Sequence, residues 1–230
     1  LNTFNFEPAV AYKLTDKLSV GAGLHVYYAT IDTGFAVGPL KAQVENADDW
    51  ALGWALGALY EFNDKTRVGV TYRSKADITL RGHADTMIPI HIAFKREWNV
   101  PQAANISVFH QLNEKWALMG DVGITDWSDF SNMYMKVGPL PVPLNRRWED
   151  TWRFGLGTQY QRTEKLMLTA GISYDTSPLA DTDRYPDIQV DQHFRASIGA
   201  QYKLNDNLEL GLTYTYLDLG NPKIKGVPIP

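Results

Sequence analysis

Between Gln201 and Tyr214 the chain reads QYKLNDNLELGLTY: apolar and polar residues alternate, a short polar turn intervenes, and the alternation resumes. Period two is the mark of a strand whose two faces meet different surroundings. The hairpin recurs as AYKLTDKLSVGAGL from Ala11, LYEFNDKTRVGVTY from Leu59, FHQLNEKWALMGDV from Phe109 and QYQRTEKLMLTAGI from Gln159. The turn acids Asp16, Asp64, Glu114, Glu164 and Asp206 lie 48, 50, 50 and 42 residues apart, one supersecondary unit used five times.

The pattern predicts ten strands over residues 2–14, 18–31, 50–62, 66–79, 99–112, 116–127, 148–161, 166–177, 190–204 and 208–219. Two- or three-residue turns join them on one side, and long connections at 32–49, 80–98, 128–147 and 178–189 join them on the other. On the second strand Leu18, Val20, Ala22, Leu24, Val26 and Tyr28 share a face, while Ser19, Gly21, Gly23, His25 and Tyr27 share the opposite one.

Aromatic placement separates a membrane barrel from a water-soluble sandwich. Tyr12, Tyr60, His110, Tyr160 and Tyr202 each stand four residues before a turn acid, at one height on the apolar face. A second set, Tyr28, Trp50, Tyr72, Trp127, Trp152, Tyr174, Tyr214 and Tyr216, stands toward the long connections. Two aromatic rings flanking an aliphatic band match the two interfaces of a bilayer. The opposite face is rich in glycine, which weakens strands and points to close approach by another element. The fold expected is all-β: a single domain over 1–230 forming an antiparallel transmembrane β-barrel.

Composition narrows the function. A net charge of −4 with mixed signs offers no stripe for nucleic acid, and the absence of cysteine excludes disulfides and thiol chemistry. No run of about 18 apolar residues is present for a membrane helix, a test that barrel strands escape. No nucleophile elbow or phosphate-binding glycine loop occurs, so no enzyme activity and no cofactor are expected. The five histidines lack metal-ligand spacing, and the acids of DTDRYPDIQVD lack that of a known calcium loop, so no metal is expected.

The stretches NFEPAVAYKLTDKLSVGAGLHV, DDWALGWALGALYEFNDKTRVGVTYRSK, LNEKWALMGDVGITDWSDF, WRFGLGTQYQRTEKLMLTAGISYDTSP and ASIGAQYKLNDNLELGLTYTYL resemble the FadL-type long-chain fatty acid transporters. That family includes the uptake channels for toluene and xylene in Gram-negative outer membranes. The resemblance runs from about residue 5 to 219 and implies a fourteen-stranded barrel plugged by an N-terminal hatch. The ten strands would be its fourth to thirteenth, with the hatch, three opening strands and a closing strand lying outside the sequence. It implies passive uptake of long-chain fatty acids or monoaromatic hydrocarbons through a bacterial outer-membrane barrel, monomeric when complete, in contact with lipid or lipopolysaccharide. A general porin or structural barrel, and a soluble β-sheet binding domain, are the alternatives.

By strand order the connections 32–49 and 80–98 correspond to the family's ligand-collecting groove. Their apolar residues Phe35, Val37, Leu40, Met87, Ile88, Ile90, Ile92 and Phe94 are candidate substrate contacts, with Lys95 and Arg96 as candidate partners of a carboxylate. Glu7, Arg67, Arg73, Lys75, Asp121, Arg153, Asp175, Arg195 and Glu209 fall on the polar face, where pairing across a lumen or with a hatch is expected.

Overall fold

The computed structural model describes residues 1–37, 40–86, 91–132, 134–137, 140–143, 147–184 and 190–223; side chains at 35–42, 86–91, 131–135 and 137–146 fall outside that description. The strands are β1 (Asn2–Phe6), β2 (Ala9–Lys13), β3 (Leu18–Val37), β4 (Leu40–Asn63), β5 (Thr66–Arg73), β6 (Thr79–Thr86), β7 (His91–Glu97), β8 (Ala103–Gln111), β9 (Trp116–Thr125), β10 (Tyr134–Val137), β11 (Leu140–Pro143), β12 (Thr151–Gln161), β13 (Leu166–Asp175), β14 (His193–Asn205) and β15 (Leu208–Asp218). A single 3-10 turn, Ser128–Asn132, is the helical element among the described residues.

All fifteen strands belong to one antiparallel sheet that forks at β4. The lower half of β4 pairs with β5, and the wall continues through β8, β9, β12, β13 and β14 to β15, with β3 and then β1 and β2 on its other edge. This wall comprises the ten expected strands, the first interrupted at Glu7–Pro8. Phe6 faces Val26 and Ala9 faces Gly23, so the register survives the break; Pro8 has no amide hydrogen to give, yet its carbonyl still accepts from Leu24 N at 3.0 Å.

The five short turns share one construction. Thr15, Asn63, Asn113, Thr163 and Asn205 each accept backbone N–H groups two or three residues on, at 2.9–3.3 Å. Neighbouring hairpins are then tied together: Lys17, Lys65, Lys115 and Lys165 carbonyls accept from Glu61, Gln111, Gln161 and Lys203 N–H at 2.7–2.8 Å. The recurring acid marks a recurring turn because a side-chain acceptor precedes it each time.

At the other end three of the expected long connections are ordered hairpins. β3 and β4 continue upward and pair as far as Val37 and Leu40, β6 and β7 fill most of 80–98, and β10 and β11 lie within 128–147. The upper half of β4 pairs with β6, so the second arm of the fork runs β4, β6, β7, β10, β11. Charged residues and the Gly38–Pro39 step disguise the alternation. Its apolar positions Val44, Ala47, Ile78, Leu80 and Ala84 bury one face of the arm against Ala29, Ile31 and Phe94. This is the main buried core, and it lies above the wall.

The wall itself is inside-out relative to a soluble sheet. Phe4, Phe6, Leu52, Leu56, Ile106, Leu156, Ile198 and Leu212 are exposed, the pattern of a barrel's outer face. Tyr12, Tyr60 and Tyr202 are exposed with them near the short turns, and Tyr160 stacks on Trp116 with centroids 4.5 Å apart. Toward the long connections Tyr28 packs on Trp50 at 4.8 Å and Tyr72 on Trp54 at 5.2 Å, while Trp152, Tyr174 and Tyr214 are exposed.

Candidate functional site: the inward face of the wall

Register fixes which inward residues stand side by side. One row passes through Ala9, Gly23, Ala55, Arg73, Ala103, Thr125 and Thr151. The row beneath it passes through Ala11, Gly21, Gly57, Thr71, Asn105, Gly123, Arg153 and Asp175. Small residues on six strands leave space that Arg73 borders from the middle of the wall. The result is a cavity of about 670 Å³ bounded by Glu7, His25, Arg73, Arg153 and Asp175 at its polar margins.

At one margin Glu7 stands opposite the buried His25. Glu7 Oε1 lies 3.5 Å from His25 Nε2, Asn5 Nδ2 donates to Nδ1 at 3.1 Å, and the Tyr27 ring stacks parallel at 5.6 Å. The Nε of Arg73 is buried with no hydrogen-bond partner among the described residues. Such a group is costly in isolation, and Arg73 is among the residues that line the cavity. At the other margin Asp175 is shared: Arg153 Nε lies 3.1 Å from one oxygen, and Arg195 Nη1 bonds the other. Two cations on one carboxylate leave the cluster net positive.

A second cavity of about 500 Å³ lies nearer the short turns, with Arg67, Asp121 and Arg195 among its polar groups. Arg67 lies over the Phe109 ring at 4.4 Å, and Asp121 sits against the glycine space of Gly155 on β12, where an added Cβ would come within 2.8 Å of its Cγ. Glu209 faces Lys203 by register and lines neither cavity. Lys75 lies above the wall, 3.1 Å from Asp129 and 3.6 Å from Asp77. Sequence alone assigned His25 and Tyr27 to the inward face but not to a cluster; the pairing of Glu7 with His25 depends on the strand register across the Pro8 break.

The collecting-groove candidates are placed as follows. Phe35, Val37 and Leu40 end the β3–β4 hairpin, with side chains outside the described residues; Met87, Ile88 and Ile90 also lie outside them. Ile92 is half-buried against the core of the upper arm, and Phe94 is only 2% exposed within it. Lys95 lies 3.4 Å from Glu97, and the Arg96 guanidinium lies 5.1 Å from the Trp98 ring centroid.

Above β9, Asp126 accepts from Gln102 Nε2 at 2.6 Å and from Ser128 N at 2.9 Å, and Gln102 Oε1 in turn accepts from Tyr72 at 2.6 Å. Hydrogen bonds from Ser128, then Gln102, hold the Asp126 carboxyl down at about 2.

An apolar band on one face and register rows of glycine, alanine and charge on the other make this wall one side of a membrane-embedded lumen. The family described as "Outer membrane protein transport protein (OMPP1/FadL/TodX)" matches residues 1–227. The chain belongs to this family. Among curated relatives of this OMPP1/FadL/TodX segment, Outer membrane protein P1 of Haemophilus influenzae is 28% identical, the match covering 94% of this chain and 56% of that protein. The long-chain fatty acid transport protein of Salmonella typhi is 25% identical over 99% of this chain and 62% of its own length. The chain thus spans little more than half of these relatives.

Solved structures agree on the fold. A Pseudomonas aeruginosa FadL homologue superposes with a TM-score of 0.79 at 20% identity, over 94% of this chain and 59% of that one. The Pseudomonas putida toluene transporter TodX gives 0.72 at 19%, over 93% and 63%. The CymD monoaromatic hydrocarbon channel gives 0.72 at 20%, over 94% and 68%. Membership of the family places the segment in the outer membrane, the fold makes it part of a β-barrel, and family members are transport proteins, not enzymes.

Proposed function

We propose that the protein containing this chain is a passive outer-membrane channel for hydrophobic small molecules, either long-chain fatty acids or monoaromatic hydrocarbons. The observation that carries the reading is the pair of inward cavities, of about 670 and 500 Å³, backed by a wall whose other face is apolar. Both cavities fall in the size range of small-ligand sites. The hairpins 32–49 and 80–98 would gather the ligand through Phe35, Val37, Leu40, Met87, Ile88, Ile90 and Ile92. It would then descend past the Glu7–His25 pair, Arg73 and the Arg153–Asp175–Arg195 cluster, with no energy coupling required.

Binding to the protein in detergent is titrated with a long-chain fatty acid and, separately, with toluene, and repeated with the double variant Ile88→Asp, Ile90→Asp. Saturable binding of one ligand, weakened in the variant, is the expected result and identifies the substrate class. Absence of saturable binding to either, with open ion conductance in planar bilayers, would instead make the protein a general porin.

A further inference from the structure

Above the wall, one buried guanidinium braces its own connection and reaches one carbonyl distant in sequence. Arg184, between β13 and β14, is only 3% exposed. It donates to Val190 O at 2.9 Å, to Ser177 Oγ and Leu179 O at 3.1 Å, to Asp191 Oδ1 at 2.7 Å, to Lys223 O at 3.3 Å and to Asp181. Asp191, 8% exposed, uses its other oxygen to accept from Asn221 N at 3.1 Å. Gly220 has φ +75°, and an added Cβ there would lie 2.8 Å from the Cβ of Asp191. The segment that follows β15 is therefore folded against the β13–β14 connection by contacts specific to Arg184 and Asp191.

The same connection is anchored on its other side by apolar packing. Leu179 is buried with Phe130 of the 3-10 turn and Trp148 before β12, and Val190 and Trp98 pack on that cluster. Trp127, Phe130 and Trp148 have ring centroids 4.9–5.2 Å apart. Leu179 thus belongs to both arrangements: its side chain lies in the aromatic cluster and its carbonyl accepts from Arg184. A buried charge that has lost its partner is strongly unfavourable, and packed cores have few intermediate arrangements, so disturbance at either end is transmitted.

We propose that Arg184 makes the long-connection end of this wall a single cooperative cap, in which segments 127–132, 147–150, 177–184, 190–192 and 219–223 open together and not as independent loops. Movement at this end is then movement of the whole cap, not of one loop at a time. The inference does not depend on which ligand is carried.

The test is hydrogen–deuterium exchange by mass spectrometry on the protein in lipid nanodiscs. In Arg184→Gln, exchange accelerates at least about tenfold at 127–132, 147–150, 190–192 and 219–223 as well as at 177–184, with the centres of β12, β13 and β14 unchanged. Gly220→Ala perturbs the clasp from the opposite end and retains the arginine at 184; it accelerates exchange at 127–132, 147–150, 177–184 and 190–192 in addition to 219–223. Acceleration confined to the mutated segment in either variant overturns the proposal. Should Arg184→Gln fail to fold, the Gly220→Ala result decides.

Discussion

Ile106 and Ser107 are consecutive residues of β8 at nearly the same depth on opposite faces. Ile106 is 57% exposed on the apolar face, and Ser107 borders the lower cavity between Gly69 and Asp121. Strands rise about 3.3 Å per residue and tilt near 45° in membrane barrels, so Ile106 stands roughly 9 Å from the aromatic ring containing His110, within an apolar band about 25 Å tall. Arginine at 106 should cost about 2–4 kcal/mol, a roughly 30- to 700-fold fall in the folded-to-unfolded ratio. Arginine at 107 enters a cavity of about 500 Å³ directly opposite Asp121 and gains a compensating carboxylate. Its net effect should lie within about 1 kcal/mol. Urea-driven unfolding of Ile106→Arg and Ser107→Arg in lipid vesicles, followed by tryptophan fluorescence, measures both. Equal losses in the two variants would refute the assignment of faces.

Three further outcomes follow from particular contacts. Gly82→Ala places a Cβ 2.8 Å from Ala47 Cβ and 3.0 Å from its Cα, at the register shift between β4 and β6; it should destabilise the upper arm by about 1–3 kcal/mol, seen as faster amide exchange in β6 with the wall unaffected. Phe94→Ala removes a ring from the buried core and should cost about 3–5 kcal/mol in thermal unfolding; a loss of ligand affinity with unchanged stability would assign Phe94 to binding instead. Asp126 is lowered on folding from its ordinary 3.8 to about 2, so its contribution is fully present above pH 3.8 and is lost as the pH falls through about 2. The melting temperature of the native protein should therefore fall across that window more steeply than that of Asp126→Asn, and parallel profiles would show that the Gln102 and Ser128 contacts do not stabilise the folded state.

Periodicity along the chain determined the ten-strand wall and which residues of each strand share a face. Alternation in a strand is local: once Leu156 faces outward, Gly157 must face inward, whatever its neighbours are. The turns were equally legible, since Thr15, Asn63, Asn113, Thr163 and Asn205 carry their own acceptors. The upper arm was not. Residues 32–49 and 80–98 also alternate, but their charges are those of a loop, and the pairing of upper β4 with β6 that buries Val44, Leu80 and Phe94 is a long-range choice. Only tertiary structure decided that Arg153 and Arg195 share Asp175, that His25 meets Glu7 across a proline break, and that Arg184 reaches Lys223. Each depends on the register or packing of distant segments, which a period of two fixes only to within an even number of residues.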